Sequence, residues 1–169
     1  GSRVVVRGAG FIVNDEMTDF NWRPDVTDRT GRIGTPANLV APGKRMLSSQ
    51  CPTLVARDGK LVLVTGSPGG RTIPNTVFNI VLNVLEFGMD VDAAVAAPRT
   101  HHQWFPDELK FEGGAWSEQA ATVEALRKLG HTVYDKAYKQ GDGHSILVRD
   151  GRAYGAADTR RTVGLAAAE

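Results

Sequence analysis

The sequence predicts an α+β fold in which helices pack on a largely antiparallel sheet. Two observations carry this. First, Asp58-Gly59 and Asp150-Gly151 each sit between runs of apolar and β-branched residues, the pattern of a tight hairpin. Second, Val77, Ile80, Val81, Val84 and Leu85 recur at helical spacing between the hairpins, and residues 118–129 repeat the helical pattern. Hairpins with intervening helices pack most simply as helices on a sheet. With 169 residues, no internal repeat and no linker, the chain reads as one domain or part of a larger one.

Taken in order, Val4-Val5-Val6 is strand-like, Gly8-Ala9-Gly10 breaks it, and Phe11-Ile12-Val13 resumes. A polar, acidic segment runs from Asn14 to Phe20. Residues 21–44 show no periodicity and are punctuated by Pro24, Gly31, Gly34, Pro36, Pro42 and Gly43, which predicts a long loop of the kind that usually serves function. Thr53-Leu54-Val55-Ala56-Arg57 and Lys60-Leu61-Val62-Leu63-Val64-Thr65 form the first hairpin. The second of these strands is apolar at consecutive positions, which predicts that both its faces are covered. A helix follows from about Asn75 to Gly88, and Asp90 caps a short one over residues 91–97 that ends before Pro98. Residues 98–114 are irregular. Ser117 is the predicted N-cap of a helix over residues 118–129, closed by Gly130. Thr132-Val133-Tyr134 reads as a strand, and Ser145-Ile146-Leu147-Val148 with Arg152-Ala153-Tyr154-Gly155 makes the second hairpin.

Composition narrows the function. Lys and Arg number 20 against 19 Asp and Glu, a net charge of +1, so there is no basic excess to point to nucleic acid. A hydrophobic fraction of 41% excludes wholesale disorder. The single cysteine, Cys51, excludes an internal disulfide framework and a multi-cysteine metal site. No apolar run reaches the roughly 18–20 residues that cross a bilayer as a helix.

Four places carry candidate chemistry. Gly66-Ser67-Pro68-Gly69-Gly70 lies between a strand and a helix, where backbone N–H groups favour a phosphate, a carboxylate or an oxyanion; the alternative is a plain turn. Arg71 stands where a phosphate-binding loop needs glycine, and Thr65 stands where a nucleophile elbow does. Glu16 and Asp19, three apart, suit an ammonium group better than a metal, or else form a solvated turn. Ser48 and Ser49 offer paired hydroxyls for a carboxylate, or simply cap a strand. His101-His102 is expected to be structural, because adjacent histidines do not readily share a metal. Core packing is the expectation for Trp22 and Trp104, with a place lining a pocket as the alternative.

In this order these pieces resemble the small subunit of gamma-glutamyltranspeptidase, an N-terminal-nucleophile hydrolase. The resemblance rests on Gly10-Phe11-Ile12-Val13-Asn14-Asp15-Glu16-Met17-Thr18-Asp19-Phe20, Pro42-Gly43-Lys44-Arg45-Met46-Leu47-Ser48-Ser49 with Pro52-Thr53, and Leu63-Val64-Thr65-Gly66-Ser67-Pro68-Gly69-Gly70. It continues through Ala97-Pro98-Arg99, His101-His102-Gln103-Trp104, Pro106-Asp107-Glu108-Leu109 and Tyr154-Gly155-Ala156-Ala157-Asp158 with Arg160.

The resemblance implies an αββα sandwich and a precursor that cleaves itself at a threonine, which becomes the small subunit's amino-terminal nucleophile. That threonine takes the γ-glutamyl group of glutathione or a similar amide and passes it to water, an amino acid or a peptide. By the same resemblance Asp19, assisted by Glu16, holds the substrate's α-ammonium. Ser48 and Ser49 bind its α-carboxylate, and the Gly69 and Gly70 amides form the oxyanion hole. No cofactor or metal is implied, and an exported or surface-bound location is.

The family's threonine, the strand that bears it and the large subunit with its carboxylate-binding arginine do not match any part of this sequence. Residues 1–169 are therefore expected to be the C-terminal part of a small subunit, inactive alone, with an exposed sheet edge that promotes self-association. Thr18 replaces an expected acidic residue before Asp19, and His144 stands where the family often has a small or amide residue. Two alternatives remain: a same-fold enzyme acting on poly-γ-glutamate or on acyl groups of β-lactam precursors, and a non-catalytic binding or assembly module.

Overall fold

A computed structural model describes residues 2–134, 136–160 and 164–166. They form two compact units, divided between Ser48 and Ser49.

The first unit is mostly loop. Val5 and Ile12 meet in a single antiparallel bridge, flanked by hydrogen bonds from Val6 N to Phe11 O at 3.0 Å and from Val13 N to Val4 O at 2.8 Å. The expected strand-like runs shrink to this bridge because Val4, Val5, Phe11 and Ile12 are all exposed, and a two-stranded ribbon without a buried face holds weakly. One 3₁₀ turn spans Glu16–Asp19 and another Pro36–Asn38, and a parallel bridge joins Asn21 to Leu39. Side chains stitch the remaining loop. Asn21 Nδ2 donates to Thr35 O at 3.1 Å, and Lys44 Nζ donates to Leu39 O at 3.0 Å.

The second unit holds the sheet. Strands β1 (Thr53–Arg57), β2 (Lys60–Gly66), β5 (His144–Arg149) and β6 (Arg152–Ala157) lie in the order β1-β2-β5-β6, each pair antiparallel. Both hairpins turn at their Asp-Gly pairs, as expected. Asp58 and Gly59 have φ of 52° and 73°, and Asp150 and Gly151 repeat those values, the paired positive φ of a type I′ turn.

Helices α1 (Ile73–Leu85) and α2 (Val91–Ala96) cover one face of the sheet. The core beneath them joins Leu63, Leu147 and Ala156 from the strands to Ile80, Val84, Val91, Ala94 and Val95 from the helices. Along β2 only Leu63 and Thr65 are buried, while Val62 and Val64 are half-buried and Leu61 is exposed. Full cover of both faces is thus not observed. Leu54, Val64 and Ile146 stand side by side on the face opposite the buried Leu63 and Leu147.

Helix α3 (Ala120–Lys128) packs Val123 against Leu109, Phe111 and Val133 in a smaller cluster beside strands β3 (Thr100–His101) and β4 (Lys110–Phe111). The predicted caps act differently. Asp90 makes no cap bond and instead pairs with Arg149 Nη1 at 3.0 Å. Ser117 opens a 3₁₀ turn, Ser117–Gln119, and its hydroxyl donates to Glu118 Oε2 at 3.2 Å. Gly130, with φ of 93°, does close α3. The strand expected at residues 132–134 is only a bridge between Leu109 and Val133.

Candidate active site

The glycine-rich turn grows directly out of β2. Thr65 Oγ1 and Ser145 Oγ share a buried hydrogen bond of 2.8 Å, and the β2–β5 ladder ends one residue later at Gly66 opposite His144. The chain then turns through Gly69 at φ 145° and Gly70 at φ 58°, values that favour glycine, into a 3₁₀ turn over Gly70–Thr72 and on into α1. Gly69 O accepts from Thr72 N at 3.2 Å and from Thr72 Oγ1 at 3.0 Å, which fixes the orientation of its peptide plane. Neither the Gly69 nor the Gly70 N–H donates a hydrogen bond among the described residues. Two unshared amides at the positive end of the 13-residue α1 stabilise negative charge that develops beside them.

A second segment braces the turn. A Cβ on Gly69 would stand 3.5 Å from Gly141 Cα, and one on Gly141 would stand 2.6 Å from Thr76 Oγ1 and 2.7 Å from Ser67 Oγ. The two backbones thus meet at van der Waals distance, and it is the Thr76 and Ser67 side chains, with a φ of 67°, that leave room at Gly141 for glycine alone. The Asp142 N–H donates to Ser67 Oγ at 2.9 Å, and that hydroxyl donates to Pro68 O at 2.7 Å. Asp142 Oδ1 lies 3.7 Å from Nε2 of half-exposed His144.

Beneath this brace lies a buried ionic network. Arg99, fully buried, pairs its Nη2 with Asp158 Oδ2 at 2.7 Å and donates from Nη1 to Gln140 O at 2.9 Å. Glu112 accepts from Arg99 N, Gln140 N and Arg160 Nε at 2.8–3.1 Å. Arg160 Nη1 reaches Asp158 Oδ1 at 3.0 Å, and the Gly143 N–H donates to Asp158 Oδ2 at 2.9 Å. Burial and the adjacent Arg160 push the Arg99 pKa down, against the pull of Asp158 and Glu112. Burial raises the Asp158 pKa, but hydrogen bonds from Gly143, Arg160 and Arg99 outweigh it and hold the carboxyl at about 2.

In the first unit, Glu16 and Asp19 open and close one 3₁₀ turn, both half-buried. Thr18 turns back on that turn, donating from N and Oγ1 to Asp15 O at 2.9 and 2.8 Å, so a hydroxyl is accommodated there without an acid. The Asp19 carbonyl accepts from Asn38 Nδ2 at 2.7 Å. Asn38 Oδ1 in turn accepts from the Leu47 N–H at 2.8 Å, next to exposed Ser48 and half-buried Ser49.

The sequence singled out neither Asn38, Gly141 nor Asp142. A lone Asn after Thr35-Pro36 looks like an ordinary turn residue, and its partners lie 19 and 9 residues away. Gly141 and Asp142 sit in a stretch that carries no periodic pattern.

His101 is buried, with both ring nitrogens facing neighbouring side chains. Its ring nitrogens lie 3.1 Å from Asn75 Oδ1 and 3.0 Å from Gln103 Oε1, and burial lowers its pKa, which favours the neutral ring. His102 pairs with Asp107 at 3.1 Å. Among the described residues no group of three or more His, Cys, Asp or Glu is placed to hold a metal. The tryptophans correct the sequence expectation. Trp22 is 64% and Trp104 72% exposed, because both stand on loops outside the two hydrophobic clusters, and Trp104 stacks only on Phe105, its ring centroid 4.4 Å away.

The family model for gamma-glutamyltranspeptidase matches residues 1–168. The chain belongs to the gamma-glutamyltranspeptidase family. It is 42% identical over 165 residues to the glutathione hydrolase proenzyme of Pseudomonas aeruginosa, covering 98% of this chain and 29% of that one. It is 44% identical over 168 residues to the glutathione hydrolase proenzyme of Escherichia coli K12, covering 99% of this chain and 28% of the relative. Among solved structures, the gamma-glutamyltranspeptidase of Pseudomonas nitroreducens complexed with L-DON superposes with a TM-score of 0.79 at 41% identity, covering 99% of this chain and 88% of that chain. The chain thus spans under a third of the length of these two curated relatives, and most of the length of the solved chain. This family membership agrees with the mixed helix and sheet of the fold.

Proposed function

We propose that these residues supply the substrate head-group site and the oxyanion hole of an enzyme that hydrolyses or transfers γ-glutamyl groups, glutathione among them. The observation that carries this is the pair of unshared amides at Gly69 and Gly70, braced by Gly141 in a chain of this family. In the proposal the nucleophile is a threonine from a part of a longer protein outside these residues. Its hydroxyl oxygen adds to the γ-glutamyl carbonyl, whose developing O⁻ is held by Gly69 and Gly70. The C–N bond then breaks, the amine leaves with a proton, and the acyl ester passes to water or to an amino acid or peptide amine. Asp19, with Glu16, takes the α-ammonium, and Ser48 and Ser49 take the α-carboxylate. A zwitterion needs an anion and a donor cluster at a set separation, and neutral hydroxyls hold its carboxylate without trapping the product.

The large subunit of the same precursor is the proposed partner. The sandwich's second sheet is proposed to lie on the face that carries Leu54, Val64 and Ile146, which accounts for the consecutive apolar residues of β2.

The test is release of p-nitroaniline from γ-L-glutamyl-p-nitroanilide by the full-length protein. The parent is expected to turn over, Asp19→Asn to raise KM at least tenfold, and the 169 residues alone to release nothing. An inert full-length protein, or an unchanged KM in Asp19→Asn, overturns the proposal.

A further inference from the structure

We infer that Asn38 is the positioning residue that sets the distance between the ammonium-binding and carboxylate-binding halves of the head-group site, an inference that rests on the function proposed above. One carboxamide carries both links. Its Nδ2 donates to the Asp19 carbonyl at 2.7 Å, and its Oδ1 accepts from the Leu47 N–H at 2.8 Å. Asp19 and Leu47 are far apart in sequence and share no strand or helix, so the side chain does the work that a ladder does in a sheet.

Asn38 is itself held on two sides. Its N–H donates to Thr35 O at 3.2 Å within the Pro36–Asn38 turn, and its carbonyl accepts from Asn21 N at 2.8 Å. Beyond that turn and the Asn21–Leu39 bridge the flanking loop carries no helix or strand, and a freely moving loop would let the two recognition elements drift. A misplacement of about 1 Å in a positioning group is costly, since binding geometry for a two-charged ligand depends on both ends at once.

The chemistry demands an amide. An aspartate at this position keeps the acceptor for Leu47 N but cannot donate to the Asp19 carbonyl, and sets a negative charge against that oxygen. A glutamine has both groups but places them one methylene further out. An alanine has neither. The role predicts a loss in recognition of the head group, with the oxyanion machinery in the other unit untouched.

The experiment measures kcat and KM for γ-L-glutamyl-p-nitroanilide, and for the glutaryl anilide that lacks the α-ammonium, in the full-length enzyme and in its Asn38→Asp and Asn38→Ala variants. Asn38→Ala is expected to raise KM for the γ-glutamyl substrate about tenfold with kcat within threefold of the parent. The preference for γ-glutamyl over glutaryl should shrink by a similar factor. A residue that only stabilises the loop would move the amount of active enzyme and leave that preference intact. Unchanged KM and preference in both variants overturns the inference while the parent's own preference upholds the proposed site. A parent that does not distinguish the two anilides overturns the head-group site itself, and the role of Asn38 with it. If neither variant accumulates as soluble protein, Asn38 belongs to folding of the loop and the inference is likewise overturned.

Discussion

The two units are held together by opposite means. In the first, the loop from Asn21 to Leu47 is tied by single side-chain bonds from Asn21, Asn38 and Lys44 to backbone carbonyls and amides, and among the described residues of that unit Phe20 is the buried large apolar side chain. In the second, a continuous apolar core supports the sheet, and an ionic network sealed from solvent holds the segment behind the glycine turn. The proposed roles follow the same division. Recognition of a polar head group falls, Ser49 apart, to the adjustable unit, where each bond contributes only about 1 kcal/mol. Stabilisation of the oxyanion falls to the unit that resists displacement, because oxyanion donors act by being fixed beforehand.

The sharpest way to break that contrast is to remove Arg99. Arg99→Leu leaves Arg160 as the cation that Asp158 and Glu112 keep among the described residues, strips the Gln140 carbonyl of its Arg99 donor, and leaves the Val95 carbonyl with Arg160 Nη1 alone. Stripping one partner from a buried pair typically costs about 3–5 kcal/mol. Urea unfolding of the chain followed by circular dichroism should show a loss of that size. A loss below about 1 kcal/mol would mean that the network contributes little and that the apolar core alone makes the second unit firm.

A smaller effect is expected from Gly141→Ala. The added methyl would lie 2.6 Å from Thr76 Oγ1 and 2.7 Å from Ser67 Oγ, at a φ of 67° that alanine adopts with strain. Overpacking and a left-handed residue each cost about 1–3 kcal/mol, and part of that strain should be relieved by moving the turn. Stability should fall by about 2 kcal/mol and kcat of the full-length enzyme by roughly a hundredfold, the size of losing one oxyanion donor, with KM little changed. Gly70→Ala would separate the two effects, since a Cβ there meets no atom within 4 Å and only the φ of 58° resists it. Equal effects of the two substitutions would show that Gly141 is not a brace.

The sequence revealed these parts unevenly. Both hairpins, α1 and the end of α3 were legible because each depends on neighbours in sequence: Asp-Gly at the turns, a stripe of Val and Ile, a glycine after the last helical turn. The strand-like runs at the start of the chain yield only a bridge because Val4-Val5-Val6 carries strand propensity but finds nothing to bury, and packing decides whether propensity becomes a strand. Asp90 does hold the N-cap position of α2, but its carboxylate goes to Arg149 instead of the helix amides, and Ser117 opens a 3₁₀ turn ahead of α3 instead of capping it. The glycine turn was legible as a backbone feature, whereas its brace was not, since Gly141 is remote in sequence and has significance only as a close approach. Arg99 and Asp158 carry no local pattern that marks them as buried, since they lie 59 residues apart. Only the fold reveals that they are sealed off together.

The smallest expected effect compares two carboxyls with the same titration and different surroundings. Asp28 in the first unit is held at about 2, from an ordinary 3.8, chiefly by the Thr30 hydroxyl and then by Arg32 and backbone amides. Asp158 in the second unit is also held at about 2, by the donors that surround it. Both are depressed, so each contributes stability that is present above the ordinary carboxyl pKa and lost as pH falls from about 4 to about 2. Their consequences differ because Asp28 closes only an exposed turn, whereas protonating Asp158 leaves Arg99 buried without its partner. Asp28→Ala should therefore leave the near-ultraviolet circular dichroism of acid unfolding unchanged, and only quicken hydrogen exchange at the Thr30 and Arg32 amides, from which Asp28 Oδ1 accepts at 2.9 and 3.3 Å. If Asp28→Ala shifted the midpoint of acid unfolding of the whole chain, the turn would be coupled to the sheet, and the division between an adjustable unit and a fixed one would fail.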